Sequence, residues 1–176
     1  MDVVWRSLDA DEPSLEHLRL RPWTEAQGTV VGVAEGRPYT LSYGLEITGD
    51  GQPSRLRCAL ADGRHLDLSR SGEGEWRAAE GQPLPHLRGC TDVDIRATPL
   101  TNTLPIRRLD LSIGGTGDLR AAWVDVPSLE VRVARQRYTR TGDTTYRYQD
   151  LDSGYSNEIT VDRSGLVTLS PAPLNA

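Results

Sequence analysis

Apolar and polar residues alternate with a period of two along most of this chain, and runs with a helical period are scarce. In the clearest stretch Tyr39, Leu41, Tyr43, Leu45 and Ile47 share one face, and Thr40, Ser42, Gly44, Glu46 and Thr48 share the other. Successive side chains of a strand point to opposite sides, so such a segment packs one face and wets the other. Shorter copies follow in Leu56, Cys58 and Leu60, in Leu66 and Leu68, and in Leu109, Leu111 and Ile113. Turn chemistry separates them at Asp50-Gly51, Asp62-Gly63, Ser71-Gly72, Gly142-Asp143, Ser153-Gly154 and Ser164-Gly165. Gly114-Gly115-Thr116-Gly117-Asp118 reads as a further hairpin loop. The segment from Leu119 to Val126 is apolar on both sides, which predicts a central strand. The best helix candidate, Pro13 to Leu20, is short and alternates at Leu18 and Leu20, so it reads as strand. About a dozen strands is more than one sheet usually carries before it curls, splits or closes. The expectation is an all-β fold with little helix: a many-stranded antiparallel sheet rolled into a curled, barrel-like wall.

At 176 residues the chain suits one domain, taken as residues 1–176, since no linker or change of composition divides it. There is no basic and apolar leader at the start and no apolar run of membrane-spanning length, so the cytosol is the default compartment. A net charge of -5 opposes binding to a nucleic-acid backbone or an anionic membrane. All 20 basic residues are arginine, and Phe and Lys are absent, a bias that high genomic GC content explains. Any anionic group must therefore be met by planar guanidinium forks. The two cysteines, Cys58 and Cys90, fall in apparent strands and read as buried thiols. His17, His65 and His86 lack the spacing of metal ligands, and no cofactor motif is present.

Candidate chemistry concentrates between Gly89 and Arg108. If Thr91 to Thr98 is one strand, Asp92, Asp94, Arg96 and Thr98 form a polar row opposite Val93, Ile95 and Ala97. Two carboxylates two residues apart on a strand lie about 7 Å from each other. That separation is within the range of the acid and base of an inverting glycoside hydrolase, which gives a hydrolase or isomerase reading for Asp92 and Asp94. The commoner arrangement is a salt-bridge ladder of Asp94 and Arg96 with Arg107 or Arg108. The stretch from Thr98 to Pro105 reads as a prolyl turn, either a rigid corner or the mouth of a cavity. In the second case Thr101, Asn102 and Thr103 bond ligand hydroxyls, and Arg107 or Arg108 meets an anionic or sugar group. Four tryptophans and six tyrosines suit amphipathic or sugar ligands, and without Phe they must also fill the core. Exposed sheet edges would instead make the chain a scaffold that pairs with another.

The run Gly89-Cys90-Thr91-Asp92-Val93-Asp94, continued through Thr98-Pro99 and Thr101-Asn102-Thr103-Leu104-Pro105-Ile106-Arg107-Arg108, resembles the putative glycolipid-binding family of bacterial proteins, formerly a domain of unknown function. The likeness extends over most of the chain, through Gly74-Glu75-Trp76, Ala122-Trp123-Val124, Val126-Pro127, Gln136-Arg137-Tyr138, Asp162 and Gly165-Leu166-Val167. It implies a spiral β-roll similar to bacterial lipoprotein carriers, and a small glycolipid-like amphiphile held in its hollow. On that basis Asp92, Asp94, Asn102, Arg107, Arg108, Gln136 and Tyr138 are the expected ligand-binding cluster at the cavity mouth, and binding is favoured over catalysis.

Overall fold

A computed structural model describes residues 1–7 and 9–169; the last part of the expected domain, 170–176, lies outside the described residues. The described residues hold thirteen strands, so the all-β expectation is met. They form two sheets. The first is a seven-stranded antiparallel meander in sequence order: β1 (Asp2–Arg6), β2 (Ser14–Arg21), β3 (Glu25–Ala34), β4 (Arg37–Ile47), β5 (Pro53–Leu60), β6 (His65–Arg70) and β7 (Trp76–Ala78). The second, a curled half-barrel, has six strands. From one edge to the other they run β13 (Val167–Leu169), β12 (Ser156–Val161), β11 (Thr145–Asp150), β10 (Val131–Arg140), β9 (Thr116–Val124) and β8 (Asp92–Ile95).

The alternation predicts the buried faces. Leu41, Tyr43, Leu45 and Ile47 of β4 are buried, as are Leu56, Cys58 and Leu60 of β5 and Leu18 and Leu20 of β2. All six predicted Gly-containing turns join consecutive strands of a meander. β9 lies inside its sheet, between β8 and β10. Its Ala122 and Val124 join the core shared with the first sheet, while Leu119 and Ala121 join a second cluster with Tyr138, Tyr146 and Tyr148. An apolar residue at nearly every position is what two buried faces require.

Four local expectations are corrected. The region from Thr98 to Pro105 is no turn: Leu100–Leu109 form a helix, α1, with Pro105 inside it. An internal proline costs about 3 kcal/mol in a helix, and the run Leu-Thr-Asn-Thr is a poor helix former. Burial offsets this, because every residue from Leu100 to Ile106 is buried and full burial of each large aliphatic side chain contributes about 2 kcal/mol. Leu109 therefore ends the helix, and Leu111 and Ile113 lie in the connection to β9 rather than in a strand. Gly114 and Gly115 belong to that connection, not to a hairpin. Because α1 carries the chain back over the sheet, β8 and β9 are parallel, the one exception to the antiparallel pattern among the described strands. Cys90 is buried but just ahead of β8, not in a strand.

Candidate functional site

The predicted cluster is interior. In β8 all four residues are buried, since one face meets the first sheet's core and the other meets α1. Asp92 and Asp94 point to the α1 side; both Asp94 oxygens are bonded, whereas Asp92 is bonded through Oδ2 and its Oδ1 is buried without a partner. Asp94 Oδ1 accepts from the Thr101 hydroxyl at 3.0 Å and Oδ2 from the Gln136 amide at 2.6 Å. Burial pushes the Asp94 carboxyl up to about 6 against the lowering effect of these two bonds. Asp92 Oδ2 accepts from the Thr91 hydroxyl and pairs with the Arg108 guanidinium. The Tyr138 hydroxyl donates to Asn102 Oδ1 at 2.7 Å. Six of the seven expected residues thus gather between α1 and the second sheet, tying the helix to β8 and β10. Arg107 does not join them. Consecutive helical residues point about 100° apart, so Arg107 leaves on another side, stacks 3.4 Å from the centroid of the Trp23 ring and reaches the Ser164 carbonyl.

The expected polar row also dissolves. β8 ends at Ile95, so Arg96 and Thr98 leave its alternation. Arg96 pairs with both Glu12 oxygens at 2.7 and 2.8 Å and reaches Asp125 at 3.4 Å, instead of laddering with Asp94. Thr98 turns toward the first sheet, where its hydroxyl donates to Glu16 at 2.9 Å and accepts from the Leu100 N–H at 3.1 Å.

Glu16 is the residue that alternation should have flagged. Leu18 and Leu20 face the core, and two residues back along β2 the same face carries a carboxylate. It is 2 % exposed. The Tyr43 and Thr98 hydroxyls both donate to its Oε1, while Oε2 is buried without a hydrogen-bond partner. Desolvation pushes this carboxyl up to about 7, although both hydroxyls pull it down. Tyr43 reaches Glu16 because its cross-strand partner is Gly28: a Cβ there would lie 2.2 Å from the ring. Tyr39 repeats the arrangement over Gly32, where a Cβ would meet its hydroxyl at 2.9 Å. Burial raises the Tyr39 phenol to about 12, so both tyrosines are neutral donors at any physiological pH.

Glu16 lines a cavity of about 80 Å³ where the two sheets meet. Trp5, cross-strand neighbour of Glu16, Tyr39, Arg96, Thr98 and Val126 share its wall. The seam beside it is closed by the Trp5 indole N–H, which donates to the Val167 carbonyl at 3.0 Å, and by the Val167 N–H, which donates to the Thr103 hydroxyl at 3.2 Å. Rings and aliphatic groups together with carboxyls, hydroxyls and an ion pair line it, which makes an amphipathic recess. Among the described residues no cluster of His, Cys, Asp and Glu could hold a metal ion, and no helix is long and apolar enough to cross a membrane.

Comparison with solved structures finds a crystal structure of a DUF1089 family protein from Pseudomonas aeruginosa. It is 36% identical, over 98% of this chain and 95% of that one, and superposes with a TM-score of 0.84. No curated protein matches. The family described as "Putative glycolipid-binding" matches residues 2–175, and the chain belongs to that family.

Proposed function

We propose that this protein binds a small amphiphile, a glycolipid or a close chemical relative, and receives the ligand's polar end in the recess where the two sheets meet. The observation that carries the reading is Glu16, which lines a cavity of mixed polar and apolar wall and whose Oε2 is buried without a hydrogen-bond partner. A buried polar atom left unpaired costs about 1–3 kcal/mol, and a ligand hydroxyl would relieve that cost. The family description agrees with a ligand that is polar at one end and apolar at the other.

The volume limits what enters. Pockets that enclose a whole drug-sized ligand measure about 300–1,000 Å³, and about 80 Å³ takes one end of such a molecule. In this reading the cluster of Asp92, Asp94, Asn102, Arg108, Gln136 and Tyr138 has a framing role. It anchors α1 and β8 on the second sheet, and so sets where the intervening residues Arg96 to Thr98 meet the recess.

Native mass spectrometry and thermal unfolding with octyl-chain amphiphiles, below their micelle-forming concentrations, test the proposal. A one-to-one complex and a raised Tm are expected. Ala97 lines the recess, and Ala97→Leu would fill it, so the shift should vanish in that variant while its unliganded fold persists. No complex with any amphiphile refutes the function; binding that ignores Ala97→Leu refutes the location.

A further inference from the structure

Resting on that reading, we infer that Glu16 determines ligand class: its free oxygen selects an uncharged, hydroxyl-bearing head group, such as a sugar ring, over an anionic one. Three features carry this. Oε1 is held by two hydroxyls from different elements, Tyr43 on β4 and Thr98 after β8, so Oε2 is the Glu16 oxygen without a partner, on a residue that lines the recess.

The charges around the recess are also already committed. Those facing it are Glu16 and Glu12 from β2 and the segment before it, and Arg96 from the segment after β8, with Asp125 bonded to Arg96 from behind. The titratable phenols of Tyr39 and Tyr43 complete the set, and both stay neutral. One guanidinium serves two carboxylates and the Val126 carbonyl, and its side chain is only 12 % exposed. No uncommitted cation faces the recess among the described residues, so a phosphate or sulfate would enter against carboxylates with no fork to receive it.

Finally, Glu16 changes protonation near neutral pH, and the three head-group classes respond differently. A sulfate accepts only, so it pairs with the protonated acid and is repelled by the ionised one. An ammonium donates only, so it needs the ionised form. A sugar hydroxyl donates and accepts, so it satisfies Oε2 in both states.

The experiment measures binding of octyl glucoside, octyl sulfate and octylammonium by calorimetry from pH 5.5 to 8.5, with wild type, Glu16→Gln and Glu16→Leu. The three probes share one tail, and their head groups keep fixed charges across this range. Octyl glucoside should bind tightest, with a Kd constant within about threefold across the range. Sulfate should weaken at least about tenfold as pH rises, and ammonium should strengthen, because one charged contact is gained or lost. In Glu16→Gln the pH dependence of both ions should disappear while glucoside binding persists. In Glu16→Leu glucoside binding should drop about tenfold or more. Tight sulfate binding that ignores pH, or equal glucoside affinity in Glu16→Leu and wild type, overturns the inference and leaves the amphiphile reading standing. Silence from all three probes removes both.

Discussion

Replacing Glu16 by Gln should stabilise the protein more as pH rises, and the size of that trend follows from burial. In the folded chain the carboxyl titrates at about 7, against its ordinary 4.5. The folded state therefore binds the proton more tightly than the unfolded chain, and stability falls wherever the unfolded chain has released a proton that the folded one keeps. That window opens near pH 4.5 and closes near pH 7, so the native acid's contribution is fully present below it and lost above it. The displacement corresponds to about 3 kcal/mol. Glutamine has nearly the same shape, and its carbonyl can still accept from Tyr43 and Thr98. Its amide replaces the unpaired oxygen, which adds an offset independent of pH. The difference in unfolding free energy between Glu16→Gln and wild type should therefore grow by about 3 kcal/mol from pH 4.5 to 8. In urea titrations with a slope of roughly 2 kcal/mol/M, this moves the midpoint by about 1.5 M. Asp94, whose carboxyl is also raised, is present in both proteins and cancels. Profiles that stay parallel across the range would refute the claim that desolvation dominates at this site.

Three further outcomes follow from the same geometry. Gly28→Ala should destabilise by about 1–3 kcal/mol in urea, because the added methyl forces the Tyr43 ring aside; Gly44→Ala, whose Cβ would meet open space, should stay within about 0.5 kcal/mol. Arg108→Met strands Asp92 as an uncompensated buried charge and should cost about 3–5 kcal/mol, most of it recovered when Asp92→Asn is added, as a double-mutant cycle would show. Tyr138→Phe leaves Asn102 Oδ1 without its donor and should cost about 1–3 kcal/mol by chemical denaturation.

What the sequence made legible is what local physics decides. Six of the seven Gly-containing turns fall where a hairpin needs positive φ or a tight reversal, and the runs on β2, β4 and β5 bury the predicted face, whereas Leu109, Leu111 and Ile113 form no strand and Ile113 is exposed. The C-terminal part of β9, Ala121 to Val124, declared its two buried faces by being apolar on both, while Thr116, Asp118 and Arg120 ahead of it are exposed. The helix was illegible because its local signals oppose it: Pro105 and the polar Thr101-Asn102-Thr103 argue for a turn, and only packing between two sheets overrules them. Losing the helix misplaced the arginine pair. Read on a strand, Arg107 and Arg108 looked interchangeable; on a helix one enters the interior to Asp92 and the other leaves for Trp23. Glu16 was legible in principle as a charge on the Leu18 and Leu20 face, but its partners Tyr43 and Thr98 come from distant parts of the chain, and no spacing rule links them.

Among the described residues two buried acids have raised pKa values, and the contrast between them separates framework from site. Asp94 is desolvated, yet both its oxygens are bonded, by Thr101 from α1 and Gln136 from β10, so its polarity is spent on holding the helix to the sheet. Glu16 suffers the same desolvation and has only one oxygen satisfied. A closed network can be conserved in energy by substituting the whole of it with apolar groups, since nothing outside the protein completes it. A half-satisfied acid at a cavity wall has no such internal resolution: within the protein its second oxygen has no partner, and a group arriving from outside is what would complete it. Raised pKa alone would have nominated both acids equally. Asp92 Oδ1 and Asn102 Nδ2 are likewise buried without hydrogen-bond partners, but neither residue lines the recess, so the unfilled valence and the recess together nominate Glu16.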